Sequence, residues 1–333
     1  MKATFQALVT RLHEGQVTSA LESIGTTQLS TGEVAVRTLY AGVNYKDCLS
    51  LLGKAKIISQ FPRIAGIEAV GEVLDPGTTD LRVGEQVLVH GFQTGIDFDG
   101  GFSEVMRVPA LHLQRLPGGL NAQQTAVLGV PGFTVAMALD RFEESGLQPS
   151  DGPVAVTGAG GAVGHLAIHL LARAGYQVIA ITRNLAQEPN LRRLGAAAVL
   201  DTSSAQQSLR PLERPQFAAA IDNVGGSTLS WLLRSMQDRG LVASVGNAGG
   251  NQFDGSVLPF IMRRVQLFGV VANATWAERQ HLWNKLATVW KPDFDVLMPC
   301  VHYLQLSELL AHAQRQLDGA TSGRSIVAMR EMP

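Results

Sequence analysis

The run from Val154 to Gly164, Val-Ala-Val-Thr-Gly-Ala-Gly-Gly-Ala-Val-Gly, holds the residues whose types and spacing speak most directly of chemistry. Strand-forming residues lead into a glycine turn, and a helical pattern follows in which Val163, Leu166, Ala167, Leu170 and Ala174 share one face before Gly175 ends it. A pyrophosphate needs close approach to the backbone and free N–H groups at a helix N-terminus, where partial positive charge favours an anion. Gly158, Gly160 and Gly161 permit that approach, Ala162 and Val163 open the helix, and Gly164 removes a Cβ where helix meets strand. The spacing is Gly-x-x-Gly-x-x-Gly, and its context, a turn heading a β-α-β unit, points to a dinucleotide.

The next strand of that unit ends in Thr182-Arg183-Asn184. An acidic residue at this strand end would grip the ribose of NAD. Arg183 stands there instead, with no carboxylate before Glu188. A guanidinium can meet a 2′-phosphate with two charge-assisted hydrogen bonds, so the pattern predicts NADP(H); the alternative is a solvated loop arginine, the role expected of Arg192 and Arg193 on an exposed helix face. Further on, Asn223, Gly225, Gly246 and Asn247 follow two later strands, at the carboxyl ends where such sheets bind ligands. They either border the nicotinamide half or serve ordinary turns.

These residues need a parallel sheet to position them. Strands are expected at Val154–Thr157, Gln177–Thr182, Ala198–Asp201, Phe217–Asp222, Leu241–Val245 and Gln266–Val271, alternating with helices in a doubly wound α/β arrangement. Residues 1–115 read differently, as short strands punctuated by glycine and proline. The tail, with helical patterns near Trp276–Val289 and Leu306–Leu317 and a β-like run Arg324–Met329, is too short for its own domain and is expected to rejoin the first. The predicted division is 1–125 with 273–333, and 126–272 between them.

A chain of 333 residues with 46% hydrophobic and 17% charged content can build two such cores. Its net charge of −1, with lysine and arginine scattered, argues against nucleic acid or an anionic membrane and for a small-molecule partner. Cys48 and Cys300 are too few for a disulfide framework, and no apolar run reaches the roughly 18 residues of a membrane span, which together predict a cytoplasmic protein. His165 and His169 have the spacing of a helical metal clamp, but Leu166 stands where a metalloprotease has its glutamate and no third ligand is evident, so packing histidines are expected.

Asn44-Tyr45-Lys46-Asp47, Phe61-Pro62 with Ala65-Gly66-Ile67-Glu68, Gly100-Gly101-Phe102, Val156-Thr157-Gly158-Ala159 and Pro259-Phe260-Ile261-Met262-Arg263 resemble the zinc-free quinone oxidoreductase branch of the medium-chain dehydrogenase/reductase superfamily, which includes acryloyl-CoA reductases. The resemblance covers nearly the whole chain. It implies a GroES-like β-rich catalytic domain plus a Rossmann nucleotide-binding domain, an NADPH-dependent reductase acting on the activated C=C of an enoyl-CoA or on a quinone, and a homodimer paired through Gln266–Val271. The positions of the zinc enzymes' catalytic cysteine and histidine hold Asn44 and Ile67, neither able to replace thiolate or imidazole at a tetrahedral site.

The same resemblance puts Asn44 and Tyr45 at the nicotinamide as donors to a developing enolate oxygen; otherwise they are a helix cap and a core tyrosine. It leaves Arg263 either receiving a CoA phosphate or packing between domains. The chain departs from the branch at Ala162, at Val130-Pro131 within Gly129–Gly132, at Arg264 and at Val270–Asn273, which puts the substrate pocket in question. A short-chain reductase is disfavoured because none of Tyr40, Tyr45, Tyr176 and Tyr303 is followed by lysine four residues on. A non-catalytic NADPH sensor is the rival from another class.

Overall fold

The computed structural model describes residues 4–203 and 210–329. Two compact units divide the chain, one running to Val130 and resuming at Val301, the other formed by Pro131–Cys300.

In the first unit β1 (Phe5–His13) and β2 (Gln16–Ile24) form a hairpin whose two turn residues, Glu14 and Gly15, both have positive φ. That is the turn geometry that matches strand twist. β3 (Val34–Val43) leads into α1 (Tyr45–Leu51), and β4 (Arg63–Ile64), β5 (Glu68–Asp75), β6 (Gln86–His90), β7 (Val105–Val108) and β8 (Gln114–Arg115) follow. Alternate residues of four strands, Val34 and Val36, Ala69 and Val73, Val87 and Val89, Met106 and Val108, form one buried cluster. Period-two alternation of this kind turns one sheet face inward.

α2 (Ala122–Glu144) crosses from the first unit to the second. It is kinked where Gly129 takes φ 47° and ψ −150° and Pro131 removes a main-chain donor. The second unit then runs β9 (Val154–Thr157), α3 (Ala162–Arg173), β10 (Val178–Thr182), α4 (Glu188–Leu194), β11 (Ala196–Asp201), β12 (Phe217–Asp222), α5 (Gly226–Ser235), β13 (Met236–Ser244), α6 (Leu258–Arg263) and β14 (Gln266–Gly269). The strands lie side by side in the order β11-β10-β9-β12-β13-β14, all parallel, so the order reverses between β9 and β12. All residues of β9 and β12 are buried, as a sheet covered on both faces requires.

The six expected strands are all present. The point of return differs: the chain rejoins the first unit at Val301, not at residue 273. α7 (Trp276–Ala287) and α8 (Phe294–Leu297) stay with the second unit. The reason is the inner face of α7, where Trp283, 1% exposed, stacks on Phe133 with ring centroids 6.1 Å apart, while Lys285 reaches Asp140 and Glu143 at 2.7 and 2.9 Å. β15 (Val301–Leu304), α9 (Leu309–Leu317) and β16 (Arg324–Ala328) complete the first unit, β16 pairing antiparallel with β3. Among the described residues no helix is long and apolar enough to cross a membrane.

If the Trp283–Phe133 contact is what keeps α7 in the second unit, Trp283→Ala should lower the unfolding free energy by about 3–5 kcal/mol. Urea titration followed by circular dichroism measures this, and an unchanged midpoint would contradict it.

Candidate active site

In the first unit, Asn44 is the N-terminal cap position of α1 and Tyr45 its first residue. The cap works through Asp47: its carboxylate accepts the Asn44 main-chain N–H at 2.9 Å and the Ile67 N–H at 3.0 Å. The Asn44 side chain is committed elsewhere. Its Nδ2 donates to Asp47 Oδ2 at 3.2 Å and to Glu68 Oε1 at 2.7 Å, which uses both amide protons. Both Asn44 amide protons are therefore engaged within the protein. Tyr45 is 40% exposed, and its hydroxyl makes no hydrogen bond among the described residues, which departs from the core-tyrosine alternative.

Glu68 is the centre of this arrangement. Oε1 also accepts from Arg324 Nη2 at 2.7 Å, both side chains being 3% exposed, and Oε2 accepts the main-chain N–H of Val130 at 2.7 Å. Arg324 in turn donates to the Ala126 carbonyl at 2.9 Å. The kink in α2 is thus tied to the Glu68–Arg324 pair at two points. Burial, opposed by the hydrogen bonds from Asn44 and Ile67 and reinforced by the Glu68 charge, raises the Asp47 carboxyl from 3.8 to about 7.

In the second unit the glycine turn has the expected form. Gly158 takes φ 58° and Gly161 caps α3, so Ala162, Val163 and Gly164 open the helix with N–H groups that have no partner one turn earlier within it. A Cβ on Gly164 would stand 2.5 Å from the Gly158 carbonyl oxygen, so helix and strand could not pack as they do. Thr182 is buried and its Oγ1 accepts the Asn184 N–H at 3.1 Å, whereas Arg183 is exposed and makes no ion pair among the described residues.

At the switch in strand order, Asn223 donates from Nδ2 to the Thr157 carbonyl at 2.7 Å and from its main-chain N to Thr157 Oγ1 at 3.0 Å. Gly246 lies against it, since a Cβ there would reach the Asn223 carbonyl oxygen at 2.6 Å. Asp222, which the sequence reading passed over, is fully buried and organises this corner: it accepts from Thr157 Oγ1 at 2.6 Å and from the Gly225 N–H at 2.9 Å. Burial raises its carboxyl above the usual range. Asn247 is exposed and its amide donates to Asn251.

Arg263 is turned onto the main chain. Its guanidinium donates to the carbonyls of Arg234 and Met236, each at 2.9 Å, and to that of Glu213, fastening the end of α6 within the second unit. His169 packs, as expected, with Nε2 accepting the Asp293 N–H at 3.0 Å and Nδ1 facing the Leu194 carbonyl at 3.2 Å. The glycine turn, Asn44, Tyr45 and Arg183 were visible as motifs. Arg324, Asp47 and Asp222 are recognisable only as partners, although Asp47 and Asp222 lie inside recognisable motifs.

The family model for an alcohol dehydrogenase GroES-like domain matches residues 30–118, and that for a zinc-binding dehydrogenase matches residues 162–288. The acrylyl-CoA reductase AcuI of Ruegeria pomeroyi is 34% identical, covering 97% of this chain and 98% of that protein. A solved structure of the yhdH oxidoreductase from Salmonella enterica in complex with NADP has a TM-score of 0.93 at 34% identity, over 98% of this chain and 100% of that one. The yhfP protein of Bacillus subtilis with NAD bound has the same TM-score and identity over 98% and 99%. The chain belongs to the medium-chain dehydrogenase/reductase family, with a GroES-like domain and a Rossmann-type parallel sheet.

The side chains do not fit the zinc of that family's metal enzymes. Asn44 spends its amide on two carboxylates, Ile67 offers no lone pair, and among the described residues no three His, Cys, Asp or Glu side chains converge.

Two outcomes follow from this site. Arg324→Met would leave Glu68 buried without its counter-charge and should cost about 3–5 kcal/mol, part of which returns in the double variant with Glu68→Gln; equal losses in the single and double variants would contradict the pairing. Asp47 titrates with the opposite sign to a salt-bridged carboxylate. Its folded value lies above the unfolded one, so folding takes up a proton. The stability it contributes is complete below about pH 4 and is lost as pH rises through about 7. Urea midpoints from about pH 5 to 8 should fall more steeply for the parent than for Asp47→Asn.

Proposed function

We propose that this chain is an NADPH-dependent reductase that reduces the activated C=C of an enoyl-CoA, or a quinone, without a metal ion. The observation that carries the reading is the Tyr45 side chain, 40% exposed and without a hydrogen-bond partner among the described residues at the head of α1, where Asn44 is held between Asp47 and Glu68. When bound, the dinucleotide supplies hydride to the electron-poor carbon. The substrate oxygen then gathers negative charge that Tyr45 stabilises by donating a hydrogen bond; as the enolate collapses its α-carbon takes a proton from Tyr45, which water restores. Asn44 positions Tyr45 by fixing the first turn of α1.

The glycine turn and the N-terminus of α3 fit a pyrophosphate, and exposed Arg183 at the end of β10 fits a 2′-phosphate. Asn223 and Gly246, at the ends of β12 and β13, border the nicotinamide half. A reductase of enoyl-CoA matching nearly the whole chain supports catalysis over a non-catalytic sensor. Both cysteines are free and buried, which suits a reducing, cytoplasmic setting. β14 is an edge strand followed by Val271, 71% exposed, and supports pairing of two copies through that edge.

Tyr45→Phe removes one oxygen from an exposed side chain. Turnover of acryloyl-CoA should fall on the order of 100-fold while melting temperature and NADPH affinity hardly move. Quinone turnover should fall less, because a quinone oxygen takes protons readily from water. Full acryloyl-CoA turnover in Tyr45→Phe would overturn the assignment.

A further inference from the structure

Gln187 closes the short turn Leu185–Gln187 that follows β10, and its main-chain N–H donates to the Asn184 carbonyl at 3.2 Å. Its side chain folds back onto the glycine turn, so that a Cβ built on Gly160 would collide with the amide oxygen Oε1. That oxygen is buried, and no described residue donates a hydrogen bond to it. A buried acceptor without a donor bears the whole cost of its lost hydration, so its persistence beside a turn shaped for a dinucleotide calls for a donor from outside the chain.

The surroundings narrow what that donor is. Gln187 is the fifth residue after the end of β10, the strand end where an adenosine ribose is gripped. Asn184 is occupied, its Oδ1 accepting the Ala186 N–H at 3.1 Å. Glu188, the nearest carboxylate along the chain, is engaged by Arg192 at 2.7 Å. What remains beside the turn is one neutral acceptor, Gln187, and one exposed cation, Arg183. A carboxylate in the acceptor's place would take protons from both ribose hydroxyls and repel a 2′-phosphate. A carboxamide oxygen accepts one hydroxyl proton and carries no charge.

The geometry points to Gln187 as a second residue that selects the cofactor: it accepts the proton of the adenosine 3′-hydroxyl, and its neutrality admits a 2′-phosphate next to Arg183. This rests on the reading of the chain as NADPH-dependent. It explains how discrimination is shared, Arg183 attracting the phosphate and Gln187 holding the ribose without opposing it.

Calorimetry on the full-length protein with NADPH, NADH, 2′,5′-ADP and 5′-AMP separates these contributions without relying on turnover. Gln187→Glu keeps the shape and adds the charge; NADPH and 2′,5′-ADP should bind about tenfold more weakly, the factor that one charge-assisted contact represents, while NADH and 5′-AMP hold or tighten. Gln187→Leu loses the acceptor and should weaken all four ligands by similar factors. If Gln187→Glu leaves the NADPH-to-NADH ratio unchanged while Arg183→Ala abolishes the parent's preference, the Gln187 assignment fails and the NADPH reading stands. A parent that binds NADH and 5′-AMP as tightly as NADPH and 2′,5′-ADP would remove both.

Discussion

The carboxylate of Glu68 has almost no contact with water, and its two oxygens receive three hydrogen bonds from parts of the chain remote in sequence: Asn44, Arg324 and Val130. Taking both charges of the Glu68–Arg324 pair out of water is expensive, and the pair is tolerable only because its lone pairs and protons are satisfied this fully. Two glycines pay for the fit in shape: a Cβ on either Gly42 or Gly129 would collide with the pair. The start of α1, the kink of α2 and the strand β16 are therefore held by a single ion pair, and Tyr45 takes its place from that support.

In the zinc enzymes of this family a metal ion would bring charge to the same region. Here the charge is organic and internal. Glu68 finds a guanidinium, Asp47 is left with amide and main-chain donors, and burial moves its carboxyl toward neutrality. Substitution of a thiolate by Asn44 is then more than the loss of a ligand, because the amide ties the two carboxylates together and gives α1 a fixed origin.

Much of this was legible in the residues. The glycine turn, the six parallel strands and the absence of a carboxylate before Glu188 could be read because each is a local pattern, set by backbone conformation or period. Arg324 could not, since its partner lies 256 residues away and a lone arginine before an apolar run announces nothing. Arg263, left between a CoA phosphate and packing, could not be decided for a related reason. A cation at the end of an amphipathic segment looks available, and only packing shows three carbonyls surrounding it. A motif containing Asn44 does not show where an amide's two protons go. The extent of the second unit depended on the stacking of Trp283 on Phe133, a pairing across the kinked helix that no periodicity records.

The antiparallel pairing of β16 with β3 joins the two segments of the chain that flank Pro131–Cys300. On a ribosome delivering roughly 5–20 residues each second, the contiguous segment Pro131–Cys300 emerges whole and can close its sheet while the tail is still unmade. The first unit cannot do the same. For that interval β3 lacks its β16 neighbour and Glu68 lacks its counter-charge, so the segment with the proposed proton donor stays open until β16 arrives. Assembly of the first unit is in this way ordered in time, after the second.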